Sequence, residues 1–203
     1  MNDPRFLVVF SLIFCFVSIC HGKTVKTNGF EYQLGSVPEW VTPVETPDLD
    51  QLPENKQDAS RILLNDRQFN VNGEKSEEYT HLVSQPLSYQ GLEQVAEIYI
   101  RFNPEYQDLV LHDISIIRDG EKIDQLNKAK IELIQREEDL EQRLYVGIVM
   151  AYIILKDVRV GDIIDAKYTR KGANPVYGDH FGKEVVVAWE SPVLKTHIRL
   201  ISD

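Results

Sequence analysis

From residue 60 onward, apolar and polar positions alternate in short runs separated by turn residues. A period of two sends successive side chains to opposite faces of a strand. Glu97 to Phe102 is the clearest case, with Ile98, Ile100 and Phe102 on one face and Glu97, Tyr99 and Arg101 on the other. Arg61 to Val71 and Tyr79 to Leu87 read as strands joined by a hairpin turn at Asn72-Gly73, and Gly91 to Ala96 as one helical turn. Leu109 to Arg118 and Glu121 to Leu126 flank Asp119-Gly120, whose residue types suit the two positive-φ positions of a type I′ turn. Leu144 to Leu155 is almost wholly apolar and rich in β-branched and aromatic residues, the pattern of a central strand covered on both faces. Gly161-Asp162 opens a strand in which Ile164, Ala166 and Tyr168 share a face, and Lys171-Gly172 and Asn174-Pro175 end it. Glu184 to Trp189 and Val193 to Ile201 complete the series, with a bend at Pro192. Short strands at regular turn spacing predict an all-β chain, an antiparallel β-sandwich over residues 60–203.

One stretch supports two readings. Ile123, Leu126, Leu133, Ile134, Leu140 and Leu144 fall near helical spacing among good helix formers, which locally favours a helix over 122–144. Ala129, Ile131 and Leu133 instead alternate with Lys128, Lys130 and Glu132 as in a strand.

Residues 23–59 look different. Apolar residues are sparse and Pro38, Pro43, Pro47 and Pro53 interrupt any ladder, so this segment reads as an extended N-terminal arm. Its best anchor is Pro38-Glu39-Trp40-Val41, with Trp40 docking the arm onto its own domain.

The first 22 residues read as a signal peptide. Arg5 precedes a run from Phe6 to Cys20 broken only by Ser11 and Ser18, then His21-Gly22-Lys23, with cleavage expected near Gly22 and Lys23. About 15 helical residues reach roughly 22 Å, short of a hydrocarbon core of about 30 Å, so no stable membrane span is expected after cleavage. Lipidation at Cys20 is the weaker alternative, because Ile19 is bulky where a small residue is usual. Cleavage would remove both cysteines, Cys15 and Cys20, and with them any cysteine nucleophile, thiolate metal ligand or disulfide. The expected location is periplasmic or secreted.

The net charge of −10 argues against nucleic acid as a partner, since phosphate binding needs concentrated Lys and Arg. Neither His81, His112, His180 nor His197 forms an i, i+4 pair or a close cluster with carboxylates, which argues against zinc or iron. His112 falls in alternation with Val110, Ile114 and Ile116 and reads as a hydrogen-bonded core imidazole. Asp179-His180 sits in a glycine-flanked loop with no serine elbow to complete a triad. Glu137, Glu138, Asp139 and Glu141 read as a solvated acidic loop in preference to an acid/base pair or calcium site. Tyr145, Tyr152, Tyr168, Tyr177 and Trp189 could line a sugar-stacking face, though strand aromatics are more often core. Gly120, Gly161, Gly172 and Gly178 occur singly beside strands as turn glycines, and no nucleotide motif is present. No catalytic residue, cofactor or metal is assigned.

Several ordered segments together resemble one family. They are Asp66-Arg67-Gln68, Phe102-Asn103-Pro104-Glu105-Tyr106-Gln107, His112 through Arg118-Asp119-Gly120, Gln135-Arg136-Glu137, Val158-Arg159-Val160-Gly161-Asp162 and Asn174-Pro175-Val176-Tyr177-Gly178. Pro38-Glu39-Trp40-Val41 is similar to the entry into such domains. The family resembled is the bacterial domain of unknown function numbered three-eight-five-seven, which precedes transglutaminase-like domains in exported proteins. The resemblance implies a β-sandwich, with 122–144 as a strand followed by an acidic loop. It also implies a non-catalytic neighbour of a papain-like thiol domain. Longer relatives continue into a domain carrying Cys, His and Asp, whereas this sequence closes with Ile201-Ser202-Asp203, so no thiol-domain catalytic residue maps onto it. The function expected is a module that binds or positions a protein or peptide partner, such as a transglutaminase-like domain. The alternatives are a carbohydrate-binding sandwich and a carboxylate-dependent hydrolase.

Overall fold

Alternation along the strands sorts the side chains into two sheets and a shared core. The computed structural model describes residues 22–48, 58–73, 75–135, 147–178, 180–187 and 191–202. Its elements are β1 (Lys23–Thr27), β2 (Phe30–Leu34), β3 (Ser60–Val71), β4 (Glu77–Pro86), α1 (Tyr89–Val95), β5 (Glu97–Phe102), β6 (Asp108–Arg118), β7 (Glu121–Asp124), β8 (Lys130–Gln135), β9 (Val149–Ile154), β10 (Ile163–Lys171) and β11 (Thr196–Ser202). The larger, eight-stranded sheet runs β1-β2-β6-β10-β4-β3-β11 with β7 beside β6, and the smaller runs β5-β9-β8. The larger sheet is mixed, because β2 pairs parallel with β6 and β11 parallel with β3. The remaining pairings are antiparallel.

The core lies between the sheets. Leu109, Leu111, Ile114 and Ile164 of the larger sheet meet Ile100, Phe102, Leu133, Val149, Ala151 and Ile153 of the smaller. Full burial of each large aliphatic side chain contributes about 1.5–3 kcal/mol, so this cluster holds the small sheet in place. Strand β9 is central within that sheet, but it is not covered on both faces. Val149, Ala151 and Ile153 are fully buried while Met150, Tyr152 and Ile154 are half-buried, and among the described residues no further layer packs on the small sheet's outer side. Strand β8 settles 130–135 as strand, while the acidic residues 137–141 lie outside the described residues.

The arm is ordered in two parts. Strands β1 and β2 form a hairpin at Asn28-Gly29, whose φ values of 52° and 82° are those of a type I′ turn. It brings Tyr32 into the core, with Val25, Phe30 and Leu34 packed alongside. The sequence reading assigned no strand here, because it weighed the prolines, all of which lie beyond β2. Residues 35–48 then run as a strap over the outer face of the large sheet. Thr42 N donates to Gln68 Oε1 at 3.0 Å and Gln68 Nε2 donates to Thr42 O at 2.7 Å, so one buried amide pairs the strap as a strand would. Val44 packs on Leu63, Leu64 and Val83. Trp40 is a docking residue, donating through Nε1 to Glu77 and accepting from Arg199 at its carbonyl.

Two strand assignments near the end need correction. Residues 184–187 of the expected strand Glu184 to Trp189 are irregular, with Val186 and Val187 more than half exposed and no ladder partner; 188–190 are outside the described residues. The final strand begins at Thr196, not Val193, which makes only an isolated bridge to Ile62.

Candidate functional site

Register places charge on the inner face of the large sheet. On β10 the inward set Ile164, Ala166 and Tyr168 is followed by Arg170, and register sets Arg170 directly opposite Glu78 of β4. Glu78 in turn faces Phe69 of β3, and Arg67 lies two residues back on that strand. Arg67 donates to Glu78, Arg170 Nη2 lies 2.6 Å from Glu78 Oε1, and Lys183 Nζ lies 2.9 Å from Oε2. One carboxylate, on a residue only 7% exposed, therefore holds three cations. Burial, then Arg170 and Arg67, push the Lys183 ammonium down to a pKa of about 8.

Glu78, Arg170 and Lys183 of this cluster line a cleft of about 450 Å³. Phe69 and Phe181 line one wall in an edge-to-face contact with ring centroids 5.7 Å apart. The Asn103–Gln107 turn and the segment from Gly172 to Tyr177 line the other. The turn is held by Asn103, whose carbonyl accepts from Gln107 N at 2.7 Å and whose side chain accepts from Glu105 N at 3.0 Å. Asn174 likewise caps the short 3-10 turn Pro175–Tyr177 by accepting from Val176 N at 3.0 Å. Both asparagines belong to segments that carried the family resemblance. Their role is to shape the rim.

The histidines separate. His112 is not in the inward apolar set. A bulge leaves it without a partner on β10, so Leu111 and Ile114, three apart, both face the core, and His112 turns to the opposite side. There its Nδ1 lies 3.0 Å from Gly35 O, its Nε2 lies 2.7 Å from Thr169 Oγ1, and its ring stacks on Tyr79. Burial holds its pKa below the usual histidine range. His197 Nδ1 lies 2.8 Å from Asp66 beneath the strap, and His81 Nε2 lies 3.0 Å from Asp165, both on the outer face of the large sheet. His180 reaches the cleft; Asp179 beside it lies outside the described residues.

The aromatic residues do not share a face either. Tyr152 stacks on Tyr99 on the outer side of the small sheet, with centroids 5.1 Å apart, and both hydroxyls donate to Glu97. Tyr168 packs against the core, and Tyr177 stands at the cleft. Tyr145 and Trp189 lie outside the described residues, as do residues 1–21 with Cys15 and Cys20. Among the described residues no group of three or more His, Cys, Asp or Glu is placed to hold a metal. No helix among them is long and apolar enough to cross a membrane.

The glycine-turn segments and the rim they build coincide with a family match. The model of the domain of unknown function DUF3857, a family with solved structure, matches residues 73–202. The chain belongs to the DUF3857 family. The match takes in Phe181, the Asn103–Gln107 turn, the segment from Gly172 to Tyr177, Glu78, Arg170 and Lys183, while Phe69, Arg67 and the strap lie before it. No curated protein matches this DUF3857 chain. Among solved structures, a candidate protease from Parabacteroides distasonis has a TM-score of 0.48 at 14% identity, aligning 57% of this chain with 23% of that one. Native yeast LTA4 hydrolase has a TM-score of 0.30 at 19% identity, aligning 55% of this chain with 14% of that one. The DUF3857 chain thus corresponds to less than a quarter of the length of either protein.

Of this charge cluster, only Arg67 falls within a segment singled out in the sequence, Asp66-Arg67-Gln68. Arg67, Glu78, Arg170 and Lys183 are scattered along the chain and meet only through strand pairing. One signal was present: Arg170 continues the inward alternation of Ile164, Ala166 and Tyr168, so a charge stands where an apolar residue is due.

Proposed function

We propose that this DUF3857 chain is a non-catalytic binding module of an exported protein, periplasmic or secreted, and that its cleft holds a peptide segment of a protein partner. A transglutaminase-like domain is the partner class favoured by the family resemblance. The observation that carries the reading is how the lining polar groups are engaged. The Ser76 hydroxyl donates to Gly73 O and accepts from Asn72 N, and Glu78 is held among three cations. A nucleophile needs a neighbouring base, and a general acid needs a carboxyl free to give its proton. Aromatic walls, fixed cations and capped turns suit holding a chain. The carbohydrate alternative calls for Tyr145, Tyr152, Tyr168, Tyr177 and Trp189 on one face; of those described, Tyr152 lies on the outer side of the small sheet, Tyr168 against the core and Tyr177 at the cleft, which favours the cleft as the site.

The test is to incubate the full chain with a pool of decapeptides, and separately with an expressed transglutaminase-like domain, and to analyse what co-elutes by mass spectrometry. Intact peptides should be retained, and Phe181→Ala should weaken their retention. Shortened peptides would make the chain a hydrolase. Retention of neither peptide nor thiol domain would overturn the reading.

A further inference from the structure

The inner face beside Glu78 has more donors than acceptors. Four of its buried polar atoms lack a hydrogen-bond partner among the described residues: Asn65 Nδ2, Arg67 Nε, Thr80 Oγ1 and Arg170 Nε. They are neighbours by register. Arg67 is opposite Thr80, Asn65 lies two residues back along β3, and Arg170 is opposite Glu78, two residues from Thr80 along β4. Leaving a buried polar atom unsatisfied is costly, so four together are a deficit that an acceptor-rich ligand would relieve.

The two guanidinium groups show which ligand. Arg118 elsewhere in the molecule closes a full fork on Asp162, donating through Nε to Oδ1 at 2.8 Å and through Nη2 to Oδ2 at 2.8 Å. Arg67 and Arg170 each give Glu78 only Nη2, and the Nε of each fork is unpartnered. Nε and Nη2 together match the spacing of two carboxylate oxygens. Three cations against one carboxylate leave the cluster with a net charge of +2 (3 − 1), in a chain whose total is −10. Of the three cations, Lys183 alone is carried by an irregular segment, so its flexible side chain can swing aside and admit a second carboxylate.

We propose that this patch is a carboxylate-binding subsite, and that the peptide held in the cleft is an acidic one whose carboxylate docks on the open forks of Arg67 and Arg170 beside Lys183. The proposal rests on the peptide-binding reading and specifies its ligand. Thr80 donates to the same carboxylate, and Phe69 and Phe181 cover the adjoining apolar part of the peptide.

Isothermal titration of the full chain separates the possibilities. The probes are Ac-Ala-Ala-Glu-Ala-Ala-NH2, the same peptide with Gln in place of Glu, the Gln peptide with a free C-terminal carboxylate, and free glutarate. The Glu peptide should bind at least about tenfold tighter than the Gln amide, since a charge-assisted contact is worth about 1.5–3 kcal/mol. Arg170→Gln and Lys183→Met should each abolish that preference with the circular dichroism spectrum unchanged, and Glu78→Gln should strengthen it if that variant folds. Tight binding of the free-carboxylate Gln peptide alone would assign the subsite to a chain terminus and support the same chemistry. Equal binding of Glu and Gln amides would overturn the carboxylate subsite and leave the peptide reading standing. Binding of glutarate without any peptide would overturn the peptide reading and leave the subsite standing. Binding of no probe would overturn both.

Discussion

Gly172 ties the cleft rim to the sheet, and replacing it with alanine separates two energetic effects within one molecule. Its φ is +105°, and an added Cβ would lie 2.0 Å from the Tyr106 carbonyl oxygen. Its own N–H donates to Ser76 O at 2.7 Å, so the glycine cannot retreat without losing that bond. The Tyr106 turn cannot yield cheaply either, because Asn103 and Gln107 lock it with the backbone and side-chain hydrogen bonds described above, including Gln107 Oε1 accepting from Asn103 N at 3.0 Å. Positive φ costs an L-residue about 1–2 kcal/mol, and relieving an overlap in a packed site about 1–3 kcal/mol more. The expected loss for Gly172→Ala is therefore about 2–5 kcal/mol.

Gly161→Ala is the control. Its φ of +92° imposes similar strain, but nothing lies within 4 Å of the added Cβ. Reduced freedom of the unfolded chain returns about 0.4–1 kcal/mol at both sites, which brings the Gly172→Ala loss down to about 1–4.5 kcal/mol and leaves Gly161→Ala at about 0–1.5 kcal/mol. Urea unfolding measures both, provided the transitions are two-state and share one slope. For a chain of this size the gap between the variants corresponds to about 5–10 °C in Tm. The Gly172 variant should also lose peptide binding, because Tyr106 and Asn174 move with it. Two variants agreeing within about 0.5 kcal/mol would refute the close approach and the rim's rigidity with it.

Asp162→Asn should cost about 2–4 kcal/mol by urea unfolding at pH 7, the lower part of the range for breaking a buried pair. Asp162 is 3% exposed and also accepts from Arg159 N at 2.7 Å. Burial raises its pKa, but Arg118 and the Arg159 amide together outweigh this and leave it lowered. Its contribution is therefore present above the unfolded carboxyl value of about 3.9 and disappears as pH falls through the lower folded value, a loss the Asn variant should not show. Lys183 gives the opposite slope. Its folded pKa of about 8 lies below the ordinary lysine value of about 10.4, so the unfolded chain holds more proton between those values and stability should rise with pH across that window. With the side chain 31% exposed the rise should be about 1–2 kcal/mol, and Lys183→Met should remove it in thermal scans at pH 8 and 10.5. Gln68→Leu removes both bonds to Thr42 and the donor facing Asp66, and should cost about 2–3 kcal/mol. It should also expose 41–48 to limited proteolysis; unchanged cleavage would show that Trp40 and Val44 suffice to hold the strap.

Elements whose signal is local were legible in the sequence. Asp119 and Gly120 have φ values of 52° and 80°, as their residue types require, and β5 buries Ile100 and Phe102 while exposing Tyr99 and Arg101. Features decided by another strand were not. His112 fits an inward alternation until the bulge against β10 turns it outward, and a bulge is a property of a strand pair. The parallel placement of β11 against β3 was hidden for the same reason. The Asn28-Gly29 turn was legible in principle, since it is the same positive-φ pair as Asp119-Gly120, but the prolines that follow drew the whole arm into one extended reading.

The cleft charges follow the same division between local and non-local information, and this explains their cost. Arg170 stands where the alternation of β10 calls for an apolar side chain, opposite Glu78, and its Nη1 donates to Arg101 O at the end of the small sheet, 3.0 Å away. Filling those positions with Leu and Val would extend the core and remove the orphaned donors at Arg67 and Arg170. Replacing buried ionic groups with well-packed apolar ones is often neutral or stabilising by about 1–4 kcal/mol. A triple variant Arg67→Leu, Glu78→Val, Arg170→Leu should therefore fold at least as stably as the native chain, while a single Glu78→Val should be strongly destabilised by three uncompensated cations. Urea midpoints decide this. If the triple variant is as unstable as the single one, the charges are needed for folding, and the case for a ligand site on this face loses its main support.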